Sequence, residues 1–214
     1  MNKKLLGILG VLVGVASMAS ASPVTCNATT TNNVTTLGTL VCAGSGESFS
    51  NFTVSGTGPS QQIGLSNMTY DSATGIVNLF FNIVVSPTAP GDIILGYLVT
   101  GPTNGIDFNV AGTPSLGSIT FTELACSTQL CAGGNNVVYG NIGNAGPVQV
   151  NSVSFATQTS VWIKKDINFN SASSQLTDFQ NSSHVPVPEP MTLSMMGLGL
   201  LGLGLARRRQ QGKK

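Results

Sequence analysis

Between Ser22 and about Ser183, short apolar runs alternate with turn-forming clusters of Gly, Asn, Pro and Ser, and nowhere is the i, i+3, i+4 spacing of an amphipathic helix sustained. That pattern predicts strands. The clearest pair is "GIVNLFFNIVVS" and "GDIILGYLVT", joined by "PTAP". Ile93, Leu95, Tyr97 and Val99 share one face of the second run, and Ile94 and Leu98 make its other face apolar too. Both runs are therefore expected as central strands buried on both sides. Further strands are expected at "ESFSNFTVSG", "QQIGLSNMTY", "LGSITFTELA", "NNVVYGN", "PVQVNSVSFA", "SVWIKKDINF" and "SQLTDFQ", with turns at "YDSATG", "GPTNG", "CAGGNN" and "GNAGP". Many short strands at this spacing predict an all-β domain, a single β-sandwich or an open barrel. No fixed-period repeat is present, which argues against solenoids and propellers.

The two ends of the chain read differently. "MNKKLLGILGVLVGVASMASAS" has a short basic start, an apolar run from Leu5 to about Ala16, and Ala19 and Ala21 in an A-x-A arrangement. It predicts a secretory signal peptide over residues 1–21, cut by signal peptidase between Ala21 and Ser22. The run is shorter than the roughly 20 residues of a spanning helix. Cys26 follows "PVT" rather than a small-residue lipobox, which disfavours a lipoprotein.

The other end reads "VPVPEPMTLSMMGLGLLGLGLARRRQQGKK". As a helix, the apolar run from Met191 to Ala206 is about 24 Å long, somewhat short of a hydrocarbon core of about 30 Å. Its four glycines each weaken that helix by about 1 kcal/mol relative to alanine, so it is expected to anchor temporarily. Arg207, Arg208 and Arg209 obey the positive-inside rule if the tail is cytoplasmic, which places the β-domain outside. Pro186, Pro188 and Pro190 hold the preceding segment extended, the form in which proteases bind chains.

This order of a "PEP" element, an apolar glycine-rich helix and an arginine cluster resembles the PEP-CTERM sorting signal of Gram-negative bacteria, a tail also labelled an ice-binding protein C-terminal domain. The resemblance covers about the last 27 residues and implies processing by exosortase, a membrane protease. It implies Pro188, Glu189 and Pro190 as the recognition element, residues 191–206 as a transient inner-membrane span, and Arg207, Arg208 and Arg209 as stop-transfer charges. The implied organisation is a signal peptide (1–21), a β-rich extracytoplasmic domain (22–183), a linker (184–187) and a sorting signal (188–214) ending in a basic tail (207–214). Release to the cell surface or an exopolysaccharide matrix follows from the same resemblance. "TTTNNVTT" is too short to supply a flat ice-binding threonine array.

Charge narrows the partners. Lys+Arg total 9 and Asp+Glu 8, but between Ser22 and Val187 only Lys164 and Lys165 stand against Glu47, Asp71, Asp92, Asp107, Glu123, Asp166 and Asp178. An acidic body repels phosphate backbones, so no nucleic-acid partner is expected. Export permits disulfides, and proximity favours Cys26 with Cys42 and Cys126 with Cys131, one of three possible connectivities. Their spacings are not those of a zinc site or a CxxC redox pair.

Candidate chemistry is sparse. His184, the only histidine, lies in "NSSHVPVPEP", read as a linker that cannot hold a base against a nucleophile. No nucleophile elbow, zinc-protease or EF-hand pattern is present, and nothing spaces ligands for calcium around Asp92 or Asp107. Gly197, Gly199 and Gly202 spell a dinucleotide-binding pattern, but neither the strand before it nor the acidic residue after it is there. Trp162, the only tryptophan, is expected to pack in the core, the alternative being a sugar-stacking platform. Sequon matches at Asn27, Asn33, Asn51, Asn67 and Asn181 are read as surface polarity. No catalytic residue, cofactor or metal is expected. The leading expectation is a non-enzymatic surface or matrix protein with a structural or adhesive role. Its rivals are a lectin-like polysaccharide-binding module and a glycan-active enzyme using two carboxylates.

Overall fold

In the computed structural model the alternating runs become strands, and the described residues are 23–26, 30–56, 63–83, 91–109, 119–134, 136–145, 150–170 and 176–187. The expected signal-peptide cut at Ala21 and Ser22, and the sorting segment with Pro188, Glu189, Pro190, Arg207, Arg208 and Arg209, lie outside them. Among the described residues the strands are β1 (Val24–Thr25), β2 (Leu40–Cys42), β3 (Glu47–Gly56), β4 (Ile63–Asp71), β5 (Ile76–Ile83), β6 (Gly91–Asn109), β7 (Ile119–Cys126), β8 (Val138–Ala145), β9 (Val150–Phe169) and β10 (Asp178–His184). They form one open sheet in the order β1-β4-β5-β10-β6-β9-β7-β8, with β3 also beside β6 and β2 beside β3. The fold is all-β.

Two long strands organise it. β6 and β9 pair antiparallel from Gly91 opposite Phe169 to Asn109 opposite Val150. The first half of β6 borders β3, from Ile93 to Thr100, while its second half borders β10, from Gly105 to Asn109. The register slips between Thr100 and Gly105, where Gly101 has φ of 133°. A Cβ at Gly101 would fall 2.4 Å from the carbonyl oxygen of Gly46, so only glycine fits. "GPTNG", expected as a turn, is therefore a bend inside one strand. "PVQVNSVSFA" and "SVWIKKDINF", expected as two strands, are likewise a single strand following that bend.

The bend brings the two halves of the sheet over one apolar core. Phe81 of β5 stacks on Phe179 of β10 at 5.1 Å between ring centroids, and Phe108 of β6 meets Phe121 of β7 at 4.7 Å. Each buried ring of this kind contributes roughly 1.5–3 kcal/mol. The expected pair of runs, now β5 and β6, is not adjacent, because β10 pairs with both. Nor is β6 buried on both sides: Ile93, Leu95, Tyr97 and Val99 are buried, whereas Ile94 and Leu98 are only half-buried on the outer face.

Disulfides join Cys26 to Cys42 and Cys126 to Cys131. The first ties the β1–β4 end of the sheet to the β2–β3 branch, clasping the two halves. A loop of this length is worth about 3 kcal/mol in the chain-entropy account.

Candidate functional site

The chemistry of this domain is concentrated inside it. Along β9, Val161, Ile163, Lys165, Ile167 and Phe169 alternate inward, so Lys165 occupies a core position. Glu123 does the same on β7, between Phe121 and Ala125. The two stand directly opposite each other, and Lys165 Nζ lies 2.8 Å from Glu123 Oε2. From the other half of the sheet, Asn181 of β10 reaches in, its Nδ2 donating to Glu123 Oε1 and, at 2.9 Å, to the Tyr97 hydroxyl. Lys165 Nζ also sits 3.3 Å from the centroid of the Phe108 ring. Lys165 and Asn181 are 0% exposed and Glu123 1%.

A second carboxylate lies on β3. Glu47 Oε1 accepts hydrogen bonds from Thr103 at 2.6 Å and Ser183 at 2.7 Å. Glu47 Oε2 and Asn181 Oδ1 are buried without a hydrogen-bond partner among the described residues. At the end of β10, His184 Nε2 lies 2.9 Å from Asp107 Oδ2, both partly exposed. His184 is thus the last residue of a paired strand rather than the head of a linker.

Burial sets the electrostatics. Desolvation pushes the carboxyls of Glu47 and Glu123 above their ordinary value, against the pull of their hydrogen-bond donors and, for Glu123, of Lys165. It pushes the Lys165 ammonium down to about 8 in spite of Glu123. The buried pair is thereby biased toward its neutral form. Burial also pushes Asp107 up, but hydrogen bonds from His184 and Ser182 outweigh it and leave that carboxyl below its usual range.

The outer face offers different chemistry. Trp162, Lys164, Asp166 and Asn168 alternate outward on β9, all half-buried. Trp162, expected in the core, therefore lies on the outer face. It stands opposite Leu98 on one side and Cys126 on the other, so it shares its face with the Cys126–Cys131 disulfide. The loop this disulfide closes, with its single 3-10 turn Gln129–Cys131, packs on β6, β7 and β9. Asn168 donates to Asp166 at 2.9 Å along the same row. A separate recess of ≈ 380 Å³ is lined by Thr30, Thr31, Asn32, Leu65, Ser66 and Asn82. No cluster of three metal-ligating side chains occurs among the described residues. Of the sequon matches, Asn181 is buried and closed to modification.

Trp162, Lys164, Lys165 and Asp166 lie together in "SVWIKKDINF". Strand parity divides them: Lys165 points in and the rest point out. The signal was there in "VWIKKDINF", where Lys165 falls on the same face as Ile163 and Ile167.

Residues 186–210 match the PEP-CTERM protein-sorting motif, as the resemblance of the tail implied. That motif marks an exported chain with a C-terminal membrane-anchor sorting signal addressed to exosortase. No curated protein matches the chain. The chain is similar to the solved structure of TmCBM61 in complex with β-1,4-galactotriose, at 10% identity and a TM-score of 0.30 over 63% of this chain and 86% of that one. It is also similar to a structure described as "CBM4 structure and function", at 12% identity and a TM-score of 0.26 over 56% and 76% of the two chains.

Proposed function

We propose that this chain is an exosortase-processed protein of the cell surface or exopolysaccharide matrix, with a structural or adhesive role and no enzymatic turnover. The observation that carries this reading is where the sorting motif begins. It starts at residue 186, two positions after β10 ends at His184. β10 is hydrogen-bonded on both sides, to β5 and to β6, so a pull on the tail loads a central strand rather than a fraying edge. Signal peptidase and exosortase are the partners during export, with the inner membrane as a transient station. The absence of turnover is supported by the burial of the two carboxyls pushed above their ordinary value, the pair a proton-transferring glycosidase would draw on: Glu47 and Glu123 are each 1% exposed and out of reach of a dissolved glycan. The test is fractionation. In a host with exosortase, the β-domain should be recovered at the surface without Arg207, Arg208 and Arg209, and deletion of exosortase should hold it in the inner membrane.

A second reading, a polysaccharide-binding module, is favoured by Trp162 on the outer face beside Lys164, Asp166 and Asn168. An indole flanked by polar groups can stack on a sugar ring while its neighbours bond the hydroxyls. Titration with the host's own exopolysaccharide separates this module from a purely structural protein.

A further inference from the structure

We propose that Lys165 and Asn181 become joined by an intramolecular isopeptide bond that the folded chain makes itself, with Glu123 as the catalytic residue that transfers the proton. The geometry is that of a nucleophile and an electrophile held on one carboxylate: Lys165 Nζ on Oε2 at 2.8 Å, and the Asn181 amide on Oε1. The amine and the amide are thereby held against the two oxygens of one carboxylate, so folding has already removed much of the orientation entropy of bringing them together. Water, the competing nucleophile, is excluded, since Lys165 and Asn181 are fully buried. The Phe108 ring, 3.3 Å from Nζ, and the Phe179 ring, 5.7 Å away, complete an apolar wall around the amine.

The step balances without a co-reactant. One proton moves from Nζ to Glu123 along their hydrogen bond, giving an amine and a carboxylic acid, the state that burial of both groups favours. The Nζ lone pair attacks Cγ of Asn181 and the carbonyl π pair moves onto Oδ1. As placed, Oδ1 has no hydrogen-bond partner among the described residues. Nδ2 faces Glu123 Oε1 and the Tyr97 hydroxyl, so the departing nitrogen lies within reach of the acid that must protonate it. Glu123 then takes a proton from Nζ and delivers one to Nδ2. The Cγ–Nδ2 bond breaks, ammonia leaves, and the Nζ–Cγ amide remains with Glu123 as the neutral carboxylic acid formed in the first step. The product links β9 to β10 through the core, and β10 is the strand that runs on toward the sorting tail.

The experiment is intact-mass and peptide mapping of the full chain purified after export. The expected mass is that of the sequence with two disulfides, corrected for processing, minus one ammonia, and digestion should yield a branched peptide joining Lys165 to Asn181 with no tryptic cut after Lys165. Linear peptides carrying an unmodified Lys165 overturn the proposal, as does an ammonia loss confined to a cyclised Asn181 in a linear peptide. Glu123→Gln should fold, by circular dichroism, yet lack the branched peptide; a fully branched Gln variant overturns the role of Glu123. Should that variant fail to fold, Asn181→Asp decides, since its branched product should be lighter by one water instead of one ammonia, and an unbranched folded Asp variant counts against the proposal.

Discussion

Ser183 donates a hydrogen bond of 2.7 Å to Glu47 Oε1, tying β10 to β3 across 136 positions of sequence. Thr103, beside the bend of β6, donates to the same oxygen. The other oxygen, Oε2, has no partner among the described residues. Half of this carboxylate is thus well solvated by hydroxyls and half is not, and desolvation outweighs the donors in setting its proton affinity.

The pH dependence of stability follows from that imbalance. Glu47 is raised above its ordinary value of 4.5, so between that value and its folded value the native state binds more protons than the unfolded one. Its contribution is complete below the unfolded value and is lost as pH rises through the folded value. Glu47→Gln should flatten that fall and make the protein more stable than wild type at pH 7, since the neutral amide carries no desolvated charge. Urea denaturation of both proteins at pH 4 and pH 7 measures it. An unchanged slope, or a less stable variant at pH 7, counts against the assignment.

His184→Ala tests the pair at the end of β10. Removing the donor 2.9 Å from Asp107 should cost about 0.5–1 kcal/mol at neutral pH, because both groups are partly exposed and solvent screens them. Asp107 is held below its ordinary value, so its share of stability is present above that value and disappears as pH falls through the folded one. The difference between wild type and His184→Ala should therefore close in strong acid. A variant as stable as wild type at neutral pH would restore the linker reading of this residue.

What the sequence made legible is what periodicity controls. "ESFSNFTVSG" corresponds to β3 residue for residue, because Glu47 and Phe49 alternate inward with Ser48 and Ser50, although a bulge at Asn51, where φ is 55°, shifts the parity so that Phe52 is buried three positions on. The bends were hidden, because Gly and Pro in "GPTNG" carry the same letters whether the chain reverses or merely kinks; the long partner β9 decides. The position of β10 between β5 and β6 was hidden too, since pairing across about 70 to 100 residues leaves no local trace. The buried cluster was half-visible. Lys165 stands on an inward parity, but the partners that make it tolerable come from β7 and β10, and no spacing announces them.

Trp162→Ala should separate surface function from stability. A half-buried indole on the outer face should cost less than about 2 kcal/mol when truncated, whereas Phe179→Ala, emptied from a site 1% exposed, should cost about 3–5 kcal/mol. If the outer face binds polysaccharide, Trp162→Ala should lose at least tenfold in affinity with its unfolding curve little moved. Comparable destabilisation by the two variants would mean that Trp162 serves packing alone.

The sorting tail makes the sharpest prediction, because the folded body reaches almost to it. Val185 N donates to the Gly75 carbonyl at 2.7 Å in the β4–β5 turn, and Val187 packs against Gly75, where a Cβ would lie 2.3 Å from its Cγ2. From Val187 to Met191 a chain can span at most about 14 Å, so, if residues 191–206 cross the membrane as proposed, the recognition element Pro188, Glu189 and Pro190 has little reach beyond this turn. Processing should accordingly leave a mature C-terminus between Pro188 and Met191, read by mass spectrometry of surface protein. Glu189→Ala should leave an unprocessed form in the inner membrane. A short Gly-Ser insertion after Val187 should speed processing by relieving the crowding, provided recognition resides in the tail and not in the domain. Surface-located protein that retains Arg207, Arg208 and Arg209 in a host with exosortase would show that the segment is an ordinary anchor.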